Sequence, residues 1–78
     1  MFLKLNDLMP IAINAGFVNT SMSKYEAIYH KPINRNVMTL HQGLDGVAIN
    51  ITTITGVTLT DTIVRSKIMA KELINEWS

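Results

Sequence analysis

The apolar residues between Val37 and Ile54 constrain this chain more than any other feature of it. Val37, Leu40, Leu44, Val47, Ile51 and Ile54 step by 3, 4, 3, 4 and 3, the spacing of a helical heptad seam. Asn36, Thr39, His41, Gln42, Asp45, Asn50, Thr52 and Thr53 fall between them as a polar face. The same stretch carries a competing signal. Val47, Ile49 and Ile51 alternate, β-branched residues are frequent, and Gly43 and Gly46 flank Asp45 as a hairpin turn would. The sustained seam predicts a helix over residues 33–55. The alternative is an α+β chain with a β-hairpin in 36–55.

The rest of the chain is read around that helix. Gly56 ends it, and Thr58 with Asp61 caps a second helix over 59–77, whose stripe is Leu59, Ile63, Ala70, Leu73 and Trp77. Ser66 and Ala70 are small and permit close approach. The two form an antiparallel helical hairpin. Upstream, residues 1–18 read as a short apolar helix with Asn6 as cap, Pro10 in its first turn and Gly16 as its stop. Ser23-Lys24-Tyr25-Glu26 has the form of a capping box and opens another short helix through His30, where Pro32 intervenes. The expectation is one small all-α domain, residues 1–78, with an N-terminal extension (1–28) and a helical hairpin (29–78).

Size bears on assembly. A chain of 78 residues buries only about 60 % of its unfolded surface. It has no cysteine, which excludes disulfide staples and thiolate metal sites. One hairpin leaves Met38, Ile49, Val64, Ile68 and Ile74 on other faces, so a homo-oligomer is expected. The charge of +1 and the 47 % hydrophobic content exclude a polycation and a disordered tail. The most apolar stretch, Leu8 to Val18, is interrupted by Pro10, Asn14 and Gly16 and is too short for the roughly 20 residues that span a bilayer. No membrane association and a cytoplasmic location are expected.

The sequence offers little for catalysis. The acids are scattered, no phosphate-cradling glycine loop occurs, and His30 and His41 have no third ligand nearby. No enzymatic activity, no metal and no cofactor are expected. One region does carry chemistry. Lys24, Tyr25, Tyr29, His30, Lys31, Arg35 and His41 gather with Glu26 as the only acid. On a helix, Tyr25 and Tyr29 share a face. Rings stack on bases while cations meet phosphates, and the helix start after Pro32 adds N–H groups that suit an anion. The plainer reading has the tyrosines packed on the hairpin and the charges forming a solvated rim.

Tyr29-His30-Lys31-Pro32 resembles the Tyr-His-x-Pro motif that opens the helical hairpin of the phage anti-CBASS cyclic-oligonucleotide sponges. The break from Gly56 to Asp61 falls where that family turns its hairpin, Trp77 where it has a Trp, and Glu72 where it has an acid. The resemblance covers residues 29–78. It implies a small all-helical oligomer that sequesters cyclic dinucleotides, such as cyclic GMP–AMP, in the host bacterial cytoplasm without cleaving them. Tyr29 would stack on a base, His30 and Lys31 would follow in the motif, and Pro32 would fix the helix entry. Where the family has a phosphate-binding cation this chain has Leu44, so Arg35 or His41 would take that part. The family's Arg-bearing tail has no counterpart after Ser78, so a trinucleotide site is not expected. The alternatives are a small helical phage protein that binds a host or phage protein through an apolar face, and a small nucleic-acid-binding domain.

Overall fold

The computed structural model describes residues 3–78. Within them, Val37–Gln42 and Val47–Thr52 are not a helix but two strands, β3 and β4, paired antiparallel. The all-α expectation is therefore wrong, and the hairpin alternative describes what is seen. The heptad seam fails because two of its members, Leu44 and Ile54, sit on turns and are 95 % and 66 % exposed. The residues that reach the core are Met38 and Leu40 on one strand and Val47, Ile49 and Ile51 on the other, an alternation of period two. Between the strands the Gly43 N–H donates to the Gly46 carbonyl over 2.8 Å. A Cβ on Gly46 would lie 2.5 Å from the Val64 carbonyl, so only glycine lets the next strand pass so close.

The second expected helix also divides. Its first half is β5 (Thr58–Val64) and only its second half is helical, as Lys67–Glu76. Twelve of the sixteen residues from Ile49 to Val64 are Ile, Val or Thr, side chains that lose rotamer freedom in a helix and pack well on a pleated surface. Ser66 starts the helix by accepting the Met69 N–H over 3.2 Å. Upstream, Leu5–Asn14 forms the first helix, α1. Gly16 stops it with φ of +92°, as the sequence suggests. The Ser23–Glu26 signature makes its local bond, with Ser23 Oγ accepting the Glu26 N–H over 3.2 Å, but the Ser23 N–H also donates to the Glu26 carbonyl over 2.7 Å. The chain turns back instead of winding on. It links β1 (Val18–Met22) to β2 (Glu26–His30), where a second short helix was expected.

The five strands form one antiparallel meander, β1-β2-β3-β4-β5. The Lys67–Glu76 helix, α2, packs on β5, α1 packs on β1 to β3, and the helices touch each other. Both therefore lie on one face of the sheet. That face holds the core: Ala27, Tyr29, Met38, Leu40, Val47, Ile49, Ile51 and Val64 meet Leu5, Leu8 and Ala12 of α1 and Ala70 and Ile74 of α2. Of the five residues that the helical hairpin would have left uncovered, Met38, Ile49, Val64 and Ile74 are buried here, whereas Ile68 is 72 % exposed. The opposite face is open to solvent and carries Ile28, His30, Val37, Thr39, His41, Ala48, Asn50 and Ile63. Half-solvated antiparallel sheets of this kind are common.

Candidate functional site

The residues singled out from sequence do not meet. Tyr29 points into the core from β2 and is fully buried, so its ring is not presented to a ligand base. Its hydroxyl has no hydrogen-bond partner among the described residues, and burial raises its pKa above the ordinary 10.0. Lys31 is only 7 % exposed. Its ammonium donates to the Ala15 carbonyl and sits 5.2 Å from the centroid of the Phe17 ring, where it ties the end of α1 to the end of β2.

His30 and His41 are on the open face of the sheet, where His41 Nδ1 lies 3.4 Å from a Glu26 carboxylate oxygen. Pro32 and Arg35 occupy the β2–β3 loop, closed by the Lys31 N–H to the Asn36 carbonyl over 2.9 Å. No helix follows Pro32, so the anion site expected at a helix start there does not exist. Tyr25 is 61 % exposed, on the β1–β2 turn at the other end of the sheet from Arg35.

Tyr25 belongs to a different constellation. At its end of the sheet the amino end of α1, the β1–β2 turn and the β3–β4 turn converge. Gln42 holds them together: its Oε1 accepts the Leu5 N–H over 3.0 Å, and its Nε2 donates to the Leu3 carbonyl over 2.9 Å. The Lys4 N–H donates to the Asp7 carboxylate over 3.0 Å, which closes the start of the helix. Two adjoining clefts result. One, of about 350 Å³, runs along Leu5, Asn6, Met22 and Ser23, and the other, of about 420 Å³, along Tyr25, Gly43 and Leu44. Lys4, Lys24 and Gln42 line both, and no carboxylate lines either. Lys24 Nζ sits 5.3 Å from the Tyr25 ring centroid.

No protein-family model, curated protein or solved structure matches the chain. What it can bind rests on these side chains. Among the described residues no three His, Cys, Asp or Glu groups come together as metal ligands. Nor, among the described residues, is any helix long and apolar enough to cross a membrane, which says nothing of strands.

Of the cleft residues, sequence reasoning had Lys24 and Tyr25 as part of the basic, aromatic stretch. It missed Lys4, Gln42 and the cleft role of Leu44. No local pattern joins Lys4 to Gln42; they meet because α1 lies back across β3.

Proposed function

We propose that this protein is a non-enzymatic binder of a phosphate-bearing ligand with a planar base, held in the joined clefts between α1 and the two turns. The observation that carries this reading is the convergence of Lys4 and Lys24 with the exposed Tyr25 ring in clefts free of carboxylates. The larger cleft, about 420 Å³, falls within the roughly 300–1,000 Å³ of small-molecule sites. Lys4 and Lys24 would meet phosphate oxygens as point charges. A base would stack on the Tyr25 face that Lys24 leaves open. The start of α1 adds little for an anion, because the Lys4, Leu5 and Asp7 N–H groups already donate to the Asp7 carboxylate, Gln42 Oε1 and the Lys4 carbonyl.

The ligand class overlaps with the cyclic dinucleotides of the sponge resemblance, but the residues differ. Tyr25 takes the stacking part given to Tyr29, and Lys4 and Lys24 take the phosphate part given to Arg35 or His41. The helical hairpin on which that resemblance rests is absent, so cyclic GMP–AMP is one candidate ligand among nucleotides.

Titration calorimetry with inorganic phosphate, AMP, cyclic di-AMP and cyclic GMP–AMP tests the proposal. Stacking is worth about 1–3 kcal/mol per base, so Tyr25→Ala should weaken nucleotide binding roughly tenfold while leaving phosphate binding unchanged. Lys24→Ala should weaken both, and added salt should act in the same direction. The nucleotide should be recovered intact. If no ligand binds at about 1 mM, a weak-binding limit, or if Tyr25→Ala is silent, the reading fails.

A further inference from the structure

Both edge strands of the sheet carry a register shift, but they differ in where it falls. The β1 edge is irregular: its register shifts between Asn19 and Ser21. Thr20 Oγ1 and Asn19 Nδ2 both donate to the Ile28 carbonyl, over 3.1 and 3.3 Å. A bulge of this kind twists an edge away from further pairing. The β5 edge carries its own shift near its start, at Leu59 opposite Ile51 and Thr52, and is regular over the five residues Thr60–Val64. Its sequence, Thr-Leu-Thr-Asp-Thr-Ile-Val, contains neither the Lys nor the Pro that commonly blunts an exposed edge. Among the described residues no backbone group pairs with its outer side.

A groove of about 210 Å³ runs beside that edge, between β5 and α2. Val64, Met69 and Leu73 give it an apolar lining, and Glu72 and Glu76, one helical turn apart, are the charges on it. No lysine or arginine lines it. Asp61, paired with Asn50, lies on the other face of the sheet.

We infer that β5 and α2 together receive an extended basic segment of a partner protein, which adds to the sheet as a strand. The unpaired edge supplies main-chain hydrogen bonds. Side chains alternate along an added strand, so one set faces the groove, where apolar residues meet Met69 and Leu73 and lysine or arginine meets Glu72 and Glu76. A second copy of this chain suits the edge poorly. Pairing β5 with itself about a two-fold axis would turn Glu72 and Glu76 of each copy towards those of the other, with like charges opposed. This surface lies at the β5 side of the sheet and is separate from the lysine-lined clefts.

The test uses the full chain, isotope-labelled, with blocked peptides of alternating valine and lysine, about six residues long, the length of a typical strand. Amide shifts should appear at Thr58–Val64 and methyl shifts at Met69 and Leu73. The glutamate counterpart of the peptide should bind roughly tenfold more weakly, and so should the lysine peptide to an E72K/E76K variant. A peptide N-methylated at alternate residues should not bind. Equal binding of the lysine and glutamate peptides, retained binding of the N-methylated peptide, shifts at β1 or on the open face, or no shift at about 1 mM, would each overturn the inference. So would protection of the β5 amides by self-association of the free chain.

Discussion

Tyr29 carries a hydroxyl that the fold buries without a partner among the described residues. A buried donor left unpaired costs about 1–3 kcal/mol, so Tyr29→Phe should leave stability equal or raise it. Tyr29→Ala should cost about 3–5 kcal/mol by opening a core cavity. The hydroxyl also gives a pH signature. Burial raises its pKa above 10.0, so the phenolate is favoured in the unfolded chain. Below pH 10.0 both states hold the proton and stability is flat in this respect. Above it the unfolded chain ionises first, and stability falls until the folded group ionises as well. Urea denaturation from pH 8 to 11 should show a steeper alkaline loss in the wild type than in Tyr29→Phe. An identical slope in both would contradict the buried hydroxyl. At this scale the sequence was legible only in part. Tyr25 and Tyr29, four apart, look alike as helical neighbours. One lies on a turn in solvent and the other on a strand in the core, and what separates them is which face of β2 the helices cover.

At the scale of elements, two periodicities overlap in one segment. Leu40, Val47 and Ile51 satisfy both the heptad and the hairpin, and so cannot discriminate. Leu44, Ile54, Met38 and Ile49 can, because each is inside under one pattern and outside under the other. Ile49→Ala and Leu40→Ala should each cost about 2–5 kcal/mol. Leu44→Ala, at a 95 % exposed turn position, should stay within about 0.5 kcal/mol. Denaturant titration that found Leu44→Ala as costly as Ile49→Ala would restore the helix. Glycines give a second comparison. Gly46→Ala must push the Val64 carbonyl aside, whereas Gly56, with φ of +92° and nothing near its missing Cβ, meets only backbone strain. Gly46→Ala should therefore be the more destabilising, with thermal melting as the readout. The legible parts of the chain were those with a local cause, namely α1 up to Gly16 and the glycine-flanked turn. The converging cleft was not, because the bond from Leu5 to Gln42 spans 37 residues and depends on the topology of the whole sheet.

For the whole molecule, the argument for self-assembly changes with the fold. A helical hairpin would expose Met38, Ile49, Val64, Ile68 and Ile74, and hiding them would fall to the short N-terminal helices and to other copies. Here the two helices and one sheet face enclose all of these but Ile68, which stays 72 % exposed. The radius of gyration is 11.2 Å, against about 11.5 Å from the scaling for a compact chain of this length. The surfaces left open are mixed: the sheet face sets His, Thr and Asn among its aliphatic residues, and the groove beside β5 carries Glu72 and Glu76. The chain should therefore sediment as an 8.7 kDa monomer at micromolar concentration. Its melting temperature should not depend on protein concentration, since mass action stabilises only species that associate. A stable dimer with a concentration-dependent melting temperature would mean that the open face or the β5 edge is an interface between copies, and the basic-strand partner would lose its charge argument. A monomer whose stability stays marginal until a ligand fills the lysine-lined clefts is the outcome that connects the small core to the proposed function. Ligand binding to the folded state alone adds stability as RT ln(1 + [L]/Kd), so the thermal shift and the calorimetric affinity must agree.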